Sequence, residues 1–144
     1  GATEDNFIVG RSAGAGGGWE KQTPAAARTS LGLDDARVLG VTASMDDDTA
    51  ISFTPQNIAG KLLVFGRVSS AQAAVLLFDG LFRAEATSPF LTAFHVGTGT
   101  DTTTGALTGT TGVDGKFTVS VHTDGKIYFE NRIGAARAIY YSIM

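Results

Sequence analysis

The chain has 144 residues with 11 basic and 14 acidic side chains, a formal net charge of −3, and no cysteine. That length suits one core-bearing domain plus an arm, with no need of a disulfide or metal staple. The missing cysteines exclude thiolate metal sites and cysteine nucleophiles, and the acidic balance argues against nucleic acid, whose phosphates are normally met by a basic stripe.

Charged residues make up 17% of the chain, against about a quarter in ordinary domains. Two readings of that deficit stand side by side: surface hidden against partner subunits, or a surface built of small residues. No apolar run approaches the roughly 20 residues of a membrane-spanning helix, so no membrane insertion is expected.

In chain order, residues 1–36 read as an N-terminal arm. Phe7, Ile8 and Val9 suit a short strand or an anchor, and the glycines from Gly10 to Gly18 suit a flexible connector. A short helix is expected over about 24–31. Thr23 can cap it, Pro24 fits the first helical position, Ala25 to Ala27 favour it, and Gly32 supplies its stop.

From Arg37 the period switches to alternation, so residues 37–144 are expected to be an all-β antiparallel domain of the sandwich or jelly-roll kind. Short strands are expected around Val38 to Val41, Ile51 to Phe53, Leu62 to Val68 and Leu91 to Val96. Asp79-Gly80 reads as a hairpin corner between Ala73 to Phe78 and Leu81 to Ala86. The Gly- and Thr-rich stretch from Gly97 to Gly112 is either an exposed loop or a thin edge strand around Ala106 to Thr110.

The last third repeats Asp-Gly-Lys, at Asp114 to Lys116 and Asp124 to Lys126. A two-residue turn at the second corner would set Val121 against Tyr128 and mix apolar with polar faces. A three-residue loop, Thr123 to Gly125, instead pairs Val121 with Ile127 and Val119 with Phe129. It needs Gly125 in a left-handed bulge conformation. Thr118, Ser120, His122, Tyr128 and Glu130 then share the other, polar face. In the final strand Ile139, Tyr141 and Ile143 point inward and Tyr140 outward.

No catalytic constellation emerges. His95 and His122 belong to no metal-spaced cluster, Asp46 to Asp48 lack the spacing of a calcium loop, and Asp79, Glu85 and Glu130 form no recognisable acid pair. The protein is therefore read as non-enzymatic, with neither cofactor nor metal. Tyr128, Tyr140, His122 and Ser120 are the candidate contact residues, for a glycan or a subunit interface; the interface reading is favoured because tyrosine is enriched there.

Two segments carry a family resemblance. Gln22 to Leu33 resembles the A-A-A-R-x-x-L-G-L segment of tailed-bacteriophage tail-fibre and related virion fibre proteins. Asp124 to Gly134 resembles the D-G-x-(I/L)-x-(I/V)-E-N-R-x-G ending of such virion appendages. The resemblance implies a homotrimer with a slender N-terminal part, a β-rich head, and a role in virion structure or host-surface recognition. Phe7, Ile8, Trp19, Leu31 and Leu33 would then serve attachment to other virion proteins or trimer packing. The chain has no repetitive shaft, which directs the expectation toward a head spike, a capsid decoration protein or a small baseplate component. Carbohydrate recognition at the host surface is the alternative.

Overall fold

A computed structural model describes residues 7–11, 18–22, 38–67 and 74–144, with side chains from residue 44 onward. The chain divides into two compact units, residues 1–36 and residues 37–144. In the first, β1 (Phe7–Arg11) pairs antiparallel with β2 (Gly18–Gln22), in a register that sets Phe7 against Gln22 and Gly10 against Trp19. The expected helix over 24–31 lies outside the described residues, as do Leu31 and Leu33.

The second unit is a β-sandwich. Its strands are β3 (Val38–Met45), β4 (Thr49–Phe53), β5 (Ala59–Gly66), β6 (Val75–Arg83), β7 (Phe90–Val96), β8 (Thr100–Thr104), β9 (Phe117–Val121), β10 (Ile127–Asn131) and β11 (Arg137–Ile143). One sheet has the order β4-β10-β9-β8, and the other β3-β11-β5-β6-β7. Alternating apolar residues from both sheets fill the space between them. Phe117, Val119, Val121, Ile127 and Phe129 meet Leu62, Val64, Phe78, Phe82 and Ile139, all essentially inaccessible to water. Aromatic rings bridge the sheets: Phe53 stacks on Tyr141 at 4.6 Å, and Phe129 meets Tyr141 edge-on at 5.3 Å.

The second Asp-Gly-Lys corner has the expected three-residue geometry. Val121 pairs with Ile127 and Val119 with Phe129. The His122 amide donates to the Lys126 carbonyl, and Gly125 sits at φ +77°. That conformation disfavours any residue carrying a Cβ.

Three expectations are corrected. Asp79-Gly80 is no corner, because β6 runs straight through it. Gly80 faces the core, where a Cβ would come within 2.6 Å of the Phe78 ring and 2.4 Å of the Thr92 carbonyl. The glycine therefore makes room for packing instead of turning the chain. Next, the thin edge strand is β8, at Thr100–Thr104 and not around Ala106 to Thr110. Finally, β8 pairs parallel with β9, so the four-stranded sheet is mixed. A parallel pair needs a crossover of about a dozen residues, and residues 105–116 supply it.

That crossover explains why β9 and β10 are buried along their whole length. Their apolar residues face the core. Their polar residues face the crossover, which lies directly on the sheet. A Cβ on Gly109 would approach the Asp48 carbonyl to 2.3 Å, and one on Gly112 would meet Glu130 and Thr118. Only glycine lets the backbone descend so close.

Candidate functional site

The polar face of β9 and β10 is where the sequence places Ser120, His122 and Tyr128. The structure does bring these three together: Ser120 pairs with Tyr128 across the strands, and the His122 and Tyr128 rings meet edge-on at 6.3 Å. Tyr140 is not with them. It projects from β11 on the outer face of the other sheet, against Phe65 of β5. Of the arm candidates, Phe7 and Ile8 lie on β1 and Trp19 on β2.

Much of this polar face is an internal fastening. The buried Glu130 carboxylate accepts the backbone N–H groups of Gly109 at 2.7 Å and Thr111 at 3.0 Å through Oε1, and that of Gly112 through Oε2. Ser120 donates to the Gly105 carbonyl at 2.6 Å and its Oγ accepts the Gly105 amide at 3.0 Å. Leu107 is buried beside these tethers. A crossover without a helix has backbone groups that need partners, and polar side chains on the sheet provide them.

Asn131 and Arg132 extend the fastening to the end of the sandwich. The Asn131 amide donates to the carbonyls of Met45, Asp46 and Ala135 at 2.9, 3.2 and 2.9 Å, tying the β3–β4 turn to the β10–β11 turn. Arg132 donates to the Gly112 carbonyl at 2.6 Å and to Asp48 at 3.0 Å. Gly134, at φ +87°, donates its amide to Asp47 at 2.7 Å. The acidic run of the β3–β4 turn thus has two structural partners. The segment Glu130 to Gly134 acts on loops of this same chain.

Nearest the open end, the Tyr128 hydroxyl donates to Asp124 at 2.5 Å. Burial pushes the Asp124 carboxyl up. The Tyr128 hydroxyl, the Lys126 amide and the charges of Lys126 and His122 outweigh it, leaving Asp124 below its ordinary 3.8. The same bond, helped by burial, raises Tyr128 above its ordinary 10.0. A phenol held in its neutral form donates a hydrogen bond and is a poor nucleophile at neutral pH. The Tyr128 ring is buried, which leaves no platform for a sugar to stack upon.

Of the other acids considered for catalysis, Asp79 pairs with Lys61 at 3.2 Å and Glu85 with Arg83 at 2.9 Å. Among the described residues no group of three His, Asp or Glu side chains could hold a metal ion, and no helix is long and apolar enough to cross a membrane. A shallow groove of about 270 Å³ runs between Leu91 of β7 and Thr102, Thr103 and Thr104 of β8.

The outer face of the five-stranded sheet escaped the sequence reading. Phe65, Leu81, Phe90, Phe94 and Tyr140 are between 39 and 61% exposed there. The alternation of β5 and β11 announces two faces, but not that the second is apolar as well. No family model, no curated protein and no solved structure matches this chain.

Proposed function

We propose that this protein is a non-enzymatic structural component of a phage particle, a trimeric spike, fibre or decoration protein attached through its N-terminal arm. The observation that carries the reading is the bare apolar sheet face on a chain poor in charge. Such a surface is costly to leave in water and is characteristic of proteins that work by assembly. The resemblance of Gln22 to Leu33 and of Asp124 to Gly134 to virion appendage proteins supplies the particle. The polar cluster of β9 and β10 supports the same reading, because its hydrogen bonds secure a rigid head.

The test is biochemical. Particles purified on a density gradient from a host carrying the gene should contain the chain in stoichiometric amounts, as read by mass spectrometry. Recovery only in the soluble fraction after lysis would sink the proposal.

A further inference from the structure

The sandwich has two outer faces, and only one is covered by the chain's own crossover. On the five-stranded sheet, the residues that alternate away from the core include Tyr140 of β11, Phe65 of β5, Leu81 of β6 and Phe90 of β7, with Lys61, Asp79, Arg83 and Thr92 between them. Tyr140 lies directly across from Phe65, Leu81 from Thr92, and Arg83 from Phe90. The Arg83 guanidinium covers the Phe90 ring at 5.2 Å, and the Lys61 ammonium stands 6.0 Å from the Phe94 ring.

We infer that this face, centred on Leu81 and Phe94, is the surface through which copies of this chain associate. The inference rests on the proposed reading for the existence of several copies; it adds which surface they share.

Three observations point to another copy as the occupant. First, the charges are balanced. Lys61 and Arg83 are matched by Asp79 and Glu85, each already in a pair on this sheet or at its rim. The face can therefore meet a neighbouring copy without net repulsion, and the same pairs can be exchanged between copies. A strongly acidic or basic partner would find no complement here.

Second, the area suits a small interface. Four strands about 4.8 Å apart and up to nine residues long, at about 3.3 Å each, give a face of roughly 15 by 30 Å. That is about 450 Å² of sheet per partner, about half the roughly 800 Å² of a standard interface. Third, the geometry selects face packing over strand addition. The β6–β7 pairing shifts register between Asp79 and Gly80, leaving Phe94 as an extra residue in β7. Such a bulge blunts the edge against a further strand. It also thrusts out Phe94, the most exposed of the five apolar side chains on this face.

The experiment compares the full chain with a Leu81→Glu/Phe94→Glu double variant by light scattering at micromolar concentration. Val113→Glu, an exposed change on the crossover, serves as control. The expected result is the mass of three copies for the wild type and the control, and of one copy for the double variant, with unchanged far-ultraviolet circular dichroism. A folded double variant that keeps the assembled mass overturns this inference while leaving the assembly reading intact. A monomeric wild type overturns both. Should the double variant unfold, hydroxyl-radical footprinting of the wild type decides: Phe94 protected relative to Val113 supports the inference, and equal labelling refutes it.

Discussion

The two outer faces of the sandwich differ in composition, and each ends in the state opposite to the one its composition suggests. On β9 and β10 the outward residues are Thr118, Ser120, Tyr128 and Glu130, which would suit water, yet they are buried. On β5, β6, β7 and β11 the outward residues include Phe65, Leu81, Phe94 and Tyr140, which would suit a core, yet they are exposed. The polar face is polar because its cover is backbone. The crossover brings unpaired N–H groups, and a carboxylate and hydroxyls satisfy them. The apolar face has no such cover from residues 105–116, and its chemistry suits side chains of another molecule. A face's composition thus reports what packs on it rather than whether anything does.

The largest effect should come from removing the fastening. Glu130→Ala leaves the N–H groups of Gly109, Thr111 and Gly112 without their acceptor, at a cost of roughly 3 kcal/mol or more. Urea unfolding should show it, and Glu130→Gln, which keeps one acceptor oxygen, should lose less. Hydrogen exchange at those three amides should accelerate ahead of the amides of β5. Uniform acceleration throughout the sandwich would mean that the crossover has no separate anchorage.

A matched pair of leucines sharpens the contrast. Leu107 is buried with the crossover and Leu81 is exposed on the other face. Leu107→Ala should destabilise the fold by about 2–3 kcal/mol, whereas Leu81→Ala should change subunit stability by less than about 0.5 kcal/mol. Equal losses, measured under conditions that keep the protein monomeric, would erase the distinction between a covered and a bare face.

The smallest effect concerns the open end of the polar face. Asp124 is depressed below 3.8 in the folded state. Its contribution to stability is present above 3.8 and is lost as pH falls through the lower folded value. Tyr128→Phe removes the first of the groups that lower it, so the Asp124 carboxyl should titrate at higher pH. Carbon-detected NMR titration of that carboxyl checks this, and an unmoved midpoint would assign the depression to Lys126 and His122 instead.

Local patterns made much of the fold legible. The positions of β4, β9, β10 and β11 follow from period-two alternation, and the three-residue turn with Gly125 follows from keeping Val119 and Val121 on one face. Turn chemistry misled at Asp79-Gly80, because a glycine that frees the chain to turn and one that makes room for Phe78 look alike in a sequence. The candidate site was half legible. Ser120, His122 and Tyr128 were placed together by register, but Tyr140 falls on the other sheet, since strand order is a non-local property.

What the sequence by itself determined is the strands β4, β9, β10 and β11, the inward residues of the last three and the left-handed turn at Gly125, all fixed by interactions between near neighbours. The tertiary structure alone decided that β8 runs parallel to β9, that residues 105–116 therefore cross the sheet, and that Glu130 is buried beneath them. It also decided that Leu81 and Phe94 stand exposed on the side of the five-stranded sheet away from the core. Alternation defines two faces for every strand, and only the path of the rest of the chain determines which one meets water.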